Sequence, residues 1–263
     1  MKAAIVLFLI SLSLFSFSQG NVDGFFKSKG ELDLAFSGSI SNSTKYFRTI
    51  GPIEYKRFQA IVGAFGTYGI TDNLNVIVSL PLVNFKLQDA SVFAKYKLIN
   101  VTSKKGLVNI APALGVSFPM SNYPTQSGQA IGQRATIIQP KLVVQYKHVK
   151  NWFIQTQGGY NYTIDPVPPA IVASAKAGYI YKDWYFDAWF DYQYGIGGKD
   201  YGIDAPDFRE LGVSFSKIGG VIYKNVGKKS GVFLNGSYIL SGRNIGQTIT
   251  ISGGYVLKLK TAK

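Results

Sequence analysis

The chain has 263 residues, enough for one large domain, and barrels of this length commonly fold as a single unit. Its net charge is +14, yet only 16% of the residues are charged and 14% are aromatic. The absence of cysteine excludes disulfides, thiolate catalysis, cysteine metal sites and a lipoprotein anchor. No run of about 18 apolar residues occurs, which excludes a bundle of membrane-spanning helices. A membrane protein of this composition must therefore cross the bilayer with strands.

The N-terminus has the pattern of a secretory signal peptide. Lys2 precedes an apolar stretch over residues 3–15, and a small-x-small cleavage site ends at Ser18. The alternative is a membrane anchor helix, but about 13 apolar residues cannot cross a hydrocarbon core of about 30 Å. We therefore predict three regions, which are a signal peptide at 1–18, a short N-terminal segment at 19–29 and a β-barrel at 30–263.

From Gly30 onward, apolar and polar residues alternate along segments of strand length. In the last of these segments, Ile249 and Ile251 alternate with Thr250 and Ser252, so one face suits lipid and the other suits a polar lumen. Strands of a soluble, secreted β-sandwich also alternate. Aromatic residues beside the short turns favour the barrel, because a girdle lies at the membrane interface. These residues are Tyr68, Tyr96, Tyr146, Trp152, Tyr181, Trp184 and Tyr223.

The alternation predicts an all-β fold, a transmembrane antiparallel up-and-down β-barrel with about twelve strands. Ten or fourteen strands remain open alternatives, because two of the segments alternate poorly. An even number places both termini on the periplasmic side, with short turns there and longer loops outside. The predicted strands are 30–40, 56–69, 74–82, 89–99, 107–118, 134–147, 152–164, 171–182, 184–195, 209–224, 232–241 and 247–260, and the predicted long loops are 41–55, 119–133 and 196–208.

Three prolines fall inside predicted strands, where proline removes a ladder donor that lipid cannot replace. These are Pro81, Pro112 and Pro140. If the loop at 119–133 is centred near residue 126, Pro112 and Pro140 lie opposite each other. We therefore predict that a single local distortion accommodates both.

The segment 66–99 has three recognisable features, which are a tight turn at Thr71-Asp72-Asn73, a strand ending in Ser79-Leu80-Pro81 and an Asp-led strand ending in Lys95-Tyr96-Lys97. It resembles the outer-membrane barrel family named after the meta-pathway of phenol degradation, although Gln88-Asp89 stands where that family usually has Gly-Asp. The resemblance implies a transporter barrel and places Pro81 at the outer end of its strand. Residues 252–259 are similar to the signal read by the barrel-assembly machinery, which implies that machinery as a partner.

About twelve strands should leave a narrow passage lined by side chains. The predicted pore-lining charges are Asp33, Lys95, Lys141, Lys176, Asp187 and Asp191. Lys176 lies within reach of Asp187 and Asp191 across the turn at 182–183, which predicts an internal ion pair. The strand pattern assigns no acidic residue to Lys95 or Lys141, and the resulting cationic wall predicts a weak preference for anions.

These features favour a passive, porin-like channel or transporter for small solutes in the outer membrane of a Gram-negative bacterium. The alternative is a filled structural or surface-interaction barrel without significant flux, and the pattern leaves open whether residues 19–29 fold back as a plug. No enzyme is expected, because the single histidine, His148, lies in a predicted turn and no base accompanies a hydroxyl nucleophile. No cofactor, metal or nucleic-acid signature accompanies the basic charge either. The expected partners are outer-membrane lipids, the barrel-assembly machinery and small solutes.

N-terminal sequencing of the protein isolated from outer membranes tests the predicted cleavage. We expect the mature chain to begin at Gln19, because signal peptidase selects small side chains such as that of Ser18 before the cut. A mature protein that retains Met1 would contradict the signal-peptide interpretation.

Overall fold

The computed structural model describes residues 22–126, 130–164, 166–202 and 207–260. The predicted signal peptide at 1–18 lies outside the described residues. No helix among the described residues is long and apolar enough to cross a membrane. The barrel strands are β1 (Glu31–Phe47), β2 (Ile53–Gly69), β3 (Leu74–Val83), β4 (Asp89–Tyr96), β5 (Gly106–Pro119), β6 (Ile137–His148), β7 (Trp152–Thr163), β8 (Ala170–Tyr181), β9 (Trp184–Gly195), β10 (Ser214–Asn225), β11 (Ser230–Arg243) and β12 (Ile245–Lys260).

The strands form one closed antiparallel barrel. Each strand pairs with the next along the chain, and β1 also pairs with β12 from Glu31 opposite Lys260 to Phe47 opposite Ile245. Two short segments, Lys86–Leu87 and Ile99–Thr102, extend the pairing of β3 and β5. Closure satisfies backbone groups that would each cost several kcal/mol if left unpaired in lipid. The prediction of an antiparallel barrel with twelve strands is confirmed.

Burial in this barrel is inverted relative to a soluble protein. On β12 the side chains of Ile249 and Ile251 are 49% and 51% exposed, whereas Thr250 and Ser252 are buried. A soluble sandwich would bury the apolar face and expose the polar one. The apolar outer face therefore contacts lipid, and the polar face lines the lumen.

Aromatic side chains surround the end of the barrel that carries the short turns. Trp152, Trp184 and Tyr181 lie on its outer face, and the His148 ring stacks on Trp152 with the ring centroids 4.9 Å apart. The prediction that Tyr223 belongs to this aromatic girdle was wrong. Its side chain lies on the inner face of β10, because the outward positions around it are Ile222 and Lys224.

One predicted loop is mostly strand. β1 continues to Phe47 and β2 begins at Ile53, so the loop predicted at 41–55 is reduced to residues 48–52. The polar run in this segment pairs with β12, because the Ser41 hydroxyl lies 2.7 Å from the Thr250 hydroxyl inside the barrel. The other two long connections are present, at residues 120–136 and 196–213.

The prediction that one distortion accommodates both Pro112 and Pro140 was wrong. The β5–β6 register is regular throughout, and the two prolines are offset, with Pro112 opposite Leu142 and Leu114 opposite Pro140. Each proline instead lies at a gap in its other ladder. The β6–β7 pairing skips residues 139–140 without a change of register, and the pairing on the far side of β5 is interrupted at residues 111–112. A residue without an N–H fits these positions because no ladder donor is used there.

Candidate functional site

The lumen contains a segment of the chain itself. Residues 22–29, which we call the inner segment, precede β1 and fold back into the barrel from the end that carries the short turns. Val22 is 1% exposed and packs in an apolar cluster with Phe93, Ala111 and Val143 of the wall. The inner segment therefore fills this half of the lumen.

Amide side chains of the wall hold the backbone of the inner segment. Gln155 accepts a hydrogen bond from the Gly24 N–H at 2.7 Å and donates to the Val22 carbonyl at 3.2 Å. Asn75 makes the same pair of bonds with Lys27, at 2.7 Å and 3.0 Å. Buried backbone groups need partners, and these side chains supply them where no ladder runs.

Lys95 makes the central charged contact. Its side chain is fully buried, and its ammonium donates to the Asp23 carboxylate at 2.7 Å, to the Asp23 carbonyl at 2.9 Å and to the Phe25 carbonyl. Burial raises the pKa of the Asp23 carboxyl, but the charge and hydrogen bond of Lys95 outweigh it, so that this pKa lies below its usual value. The prediction that Lys95 forms part of an open cationic wall was wrong, because the inner segment neutralises it.

Two phenylalanines of the inner segment pack against the wall. The Phe25 ring meets the Phe153 ring edge-on, with the centroids 5.1 Å apart. The ammonium groups of Lys95 and Lys97 lie 4.7 Å and 4.9 Å from the centroid of the Phe26 ring. These contacts add apolar and cation–π attraction to the charged contact.

Most remaining charges predicted for the lumen are also paired. Asp33 binds the ammonium of Lys27 in the inner segment. The predicted ion pair of Lys176 with Asp187 is present at 3.3 Å. Asp191 does not join that pair and instead lies 3.7 Å from Lys217.

Beyond the inner segment lies a chamber of about 370 Å³, and it contains the remaining predicted lysine, Lys141. The Lys141 ammonium lies 5.0 Å from the centroid of the Phe93 ring, and the charge of Asp191 acts on it. Lys217 and Arg57 also line the chamber, so three cations share it with the carboxylates of Asp191 and Asp89. The sequence prediction missed Lys217, because glycines at 219–220 interrupt the alternation of β10.

Described residues of two outer loops border the other side of the chamber. Tyr123 in loop 120–136 is fully buried, and its hydroxyl donates to Asp89 at 2.5 Å. Burial and that carboxylate raise the pKa of Tyr123, so it remains protonated. Gln133 of the same loop donates to the carbonyls of Phe208 and Leu211, at 3.1 Å and 3.0 Å. Loops 120–136 and 196–213 are thereby joined above the lumen.

Solved structures similar to this barrel include an outer-membrane channel and two porins. An outer-membrane channel from Pseudomonas putida F1 aligns with a TM-score of 0.72 and 12% identity, over 91% of this chain and 99% of that one. The NanC porin aligns with a TM-score of 0.59 and 10% identity, over 86% of this chain and 100% of that one. The KdgM porin aligns with a TM-score of 0.57 and 6% identity, over 86% of this chain and 99% of that one. The chain is an outer-membrane β-barrel.

The identities to these barrels are low, so the likeness describes the fold. No family model matches the chain. No curated protein matches it either. What passes through the barrel must therefore be argued from its own lumen.

Replacing Lys95 tests the attachment of the inner segment. A hydrogen bond to a charged group contributes about 1.5–3 kcal/mol. Lys95→Gln should therefore speed amide hydrogen exchange in residues 23–27 by at least about tenfold, since 1.4 kcal/mol corresponds to a factor of ten.

Lys97→Gln is the matched control, because Lys97 also lies over the Phe26 ring and its ammonium binds the Asp72 carbonyl, not Asp23. Exchange measured by mass spectrometry should be nearly unchanged in this control. Equal exchange in the wild-type chain and in Lys95→Gln would show that Lys95 does not hold the inner segment.

Proposed function

We propose that this chain is a passive outer-membrane channel for small solutes, and that it belongs to the phenol meta-pathway barrel family that its segment 66–99 resembles. One observation carries the proposal, which is the polar chamber of about 370 Å³ inside a closed barrel with a lipid-facing outer surface. Side chains fill a barrel of about eight strands, whereas twelve strands enclose additional space. A chamber of that volume has the dimensions of a small-solute site.

The proposed channel prefers anions. Three lysines of the lumen are paired one to one with carboxylates, in the contacts Lys27–Asp33, Lys95–Asp23 and Lys176–Asp187. In the chamber the ratio differs, because three cations, Arg57, Lys141 and Lys217, line it together with two carboxylates, Asp89 and Asp191. The excess positive charge lies in a narrow space with low-dielectric walls, where it raises the local concentration of anions.

The inner segment makes flux conditional in this proposal. It occupies the lumen between the chamber and the end with the short turns, and its contacts are hydrogen bonds, ion pairs and ring contacts. Release of these contacts would open the chamber toward the end with the short turns while leaving the barrel ladder intact. In this proposal, the barrel with its inner segment in place is the closed state of the channel.

A second candidate function is a filled barrel without flux. The same inner segment favours it, together with the hydrogen bonds that join loops 120–136 and 196–213 above the chamber. In that case the outer loops would carry the function as an interaction surface.

The proposed partners follow from the outer surface. The aromatic girdle and the exposed apolar face would contact outer-membrane lipids. Tyr255 and Leu259 on the outer face of β12 would be read by the barrel-assembly machinery, because they lie in the strand that closes the barrel against β1.

Conductance of the refolded mature protein in planar bilayers distinguishes the two functions. We expect small or infrequent steps from the full mature chain and larger, steady steps from a variant lacking residues 19–29, because the deletion removes the inner segment. Reversal potentials in a salt gradient should favour anions. Heat-modifiable gel mobility shows whether the deletion variant is correctly folded. If the folded variant has no measurable conductance, the result would contradict the channel function and support the filled barrel.

Selectivity is tested in the same deletion background. Lys141→Glu should shift the reversal potential toward cations, because it reverses one charge of the chamber. Lys150→Glu is the control, since it makes the same change in an exposed turn after the same strand. Equal reversal potentials for the two variants would refute the proposed role of the chamber charge.

A further inference from the structure

The chamber is bounded on both sides by the chain itself. On the inner side, Gln157 of its wall accepts a hydrogen bond from the Val22 N–H at 3.3 Å. On the outer side, Ala130, Gln133 and Phe208 of the joined loops line it. Its volume of about 370 Å³ has room for at least about a dozen water molecules at ~30 Å³ each. A solute with about that many non-hydrogen atoms would fit.

Within the described part of the chain, the Lys217 ammonium makes no short hydrogen bond, so it offers donors to this space. The contacts of its ammonium are the Asp191 carboxylate at 3.7 Å and the faces of two rings, Trp189 at 5.1 Å and Phe215 at 5.8 Å. A hydrogen bond between nitrogen and oxygen spans about 2.7–3.2 Å, so 3.7 Å is an ion pair without a short bond. The Lys217 side chain is 12% exposed. A nearly buried ammonium with available donors is suited to an anionic ligand.

Hydroxyl groups of β1 and β12 also line the chamber. The Ser41 and Thr250 hydroxyls lie 2.7 Å apart, and those of Ser43 and Thr248 lie 2.6 Å apart. Each hydroxyl has one donor and two acceptor positions. The Ser41–Thr250 pair uses one of its two hydrogens, so the pair retains a donor as well as acceptor positions for the chamber. Such a wall is suited to a solute that carries several hydroxyl groups.

Aromatic rings line the outer part of the chamber. The Tyr46 ring meets the Tyr55 ring edge-on at 5.5 Å and lies 6.3 Å from the Phe208 ring. Ring faces of this kind provide apolar contact for the carbon skeleton of a ligand whose polar groups are bound elsewhere.

We propose that the chamber binds one small polyhydroxylated anion at a time, with its negative group at Lys217 and Lys141 and its hydroxyl groups on the Ser41–Thr250 wall. This inference rests on the proposed channel function and names the class of solute. The chamber wall carries Arg57, Lys141 and Lys217 against Asp89 and Asp191, so its net positive charge matches one further negative group. The hydroxyl wall distinguishes this solute from a simple fatty or aromatic acid.

Equilibrium binding to the refolded mature chain, measured by calorimetry, tests the proposal with three probes. Gluconate carries both a carboxylate and hydroxyls, sorbitol carries only hydroxyls, and hexanoate carries only the carboxylate on a chain of equal length. We expect saturable binding of one gluconate per chain, and at least tenfold weaker binding of the other two. Sorbitol binding as tight as gluconate would overturn the anion site, and equally tight hexanoate would overturn the hydroxyl wall.

Two variants assign the binding to the chamber. Lys217→Gln should weaken gluconate at least tenfold, whereas Lys224→Gln, the same change on the outer face of the same strand, should leave it unchanged. Thr250→Val keeps the side-chain shape without the hydroxyl, and it should weaken gluconate but leave hexanoate unaffected. Wild-type gluconate affinity in folded Lys217→Gln and Thr250→Val would overturn the proposal.

The binding result and the conductance result can fail separately. If the mature chain binds gluconate but the variant lacking residues 19–29 has no conductance, the binding site is supported and the channel function is rejected. Flux through the deletion variant without gluconate binding to the mature chain would keep the channel and reject the site.

Discussion

The contact between the Lys95 ammonium and the Asp23 carboxylate attaches the inner segment to the wall of the lumen. A lysine buried in the wall without a counter-charge would be strongly unfavourable, and Asp23 supplies both the charge and, with Phe25, the carbonyl acceptors. The contact is costly to break from one side only, because it would leave a buried charge without its partner. It thereby ties the start of the chain to β4, and the amides of Gln155 and Asn75 extend the attachment.

The surrounding barrel makes such a contact possible. Lipid outside requires that every backbone group be paired within the closed sheet, and it places the apolar side chains outward. The polar and charged residues are therefore concentrated in the lumen, where they must find partners among themselves. Around the inner segment, Lys27, Lys95 and Lys176 pair one to one with carboxylates. In the chamber, Arg57, Lys141 and Lys217 outnumber Asp89 and Asp191, and in the proposed channel the positive charge that remains attracts an anionic solute.

The barrel could be predicted from the sequence because alternation reports directly which side chains face lipid. The sequence prediction failed where the alternation is absent. Beyond Ile40, the Ser and Asn residues of β1 are polar on both faces, so this part of the strand was predicted as a loop. The glycines at 219–220 interrupt the alternation of β10, so Lys217 was not predicted to face the lumen. Tyr223 was placed by its distance from a turn, although its face is set by the register of β10.

The lumen was predictable only in part. The pair of Lys176 and Asp187 follows from the register of two adjacent strands. The partner of Lys95 lies 72 positions away in a segment without alternation, and no strand register relates the two. Gln155 and Asn75 bind the backbone of the inner segment. Contacts to the backbone cannot be predicted from the pattern of side chains in that segment.

A reversible tether of the inner segment tests the central claim most directly. The chain has no cysteine, so Gly24→Cys with Gln145→Cys introduces the two thiols required. A Cβ at Gly24 would lie 2.6 Å from the Gln145 Cβ, so a shift of about 1 Å reaches the usual disulfide separation of about 3.8 Å. We expect the oxidised protein to be silent in planar bilayers and the same protein to conduct after reduction. Equal conductance in both states would contradict the claim that release of the inner segment opens the channel.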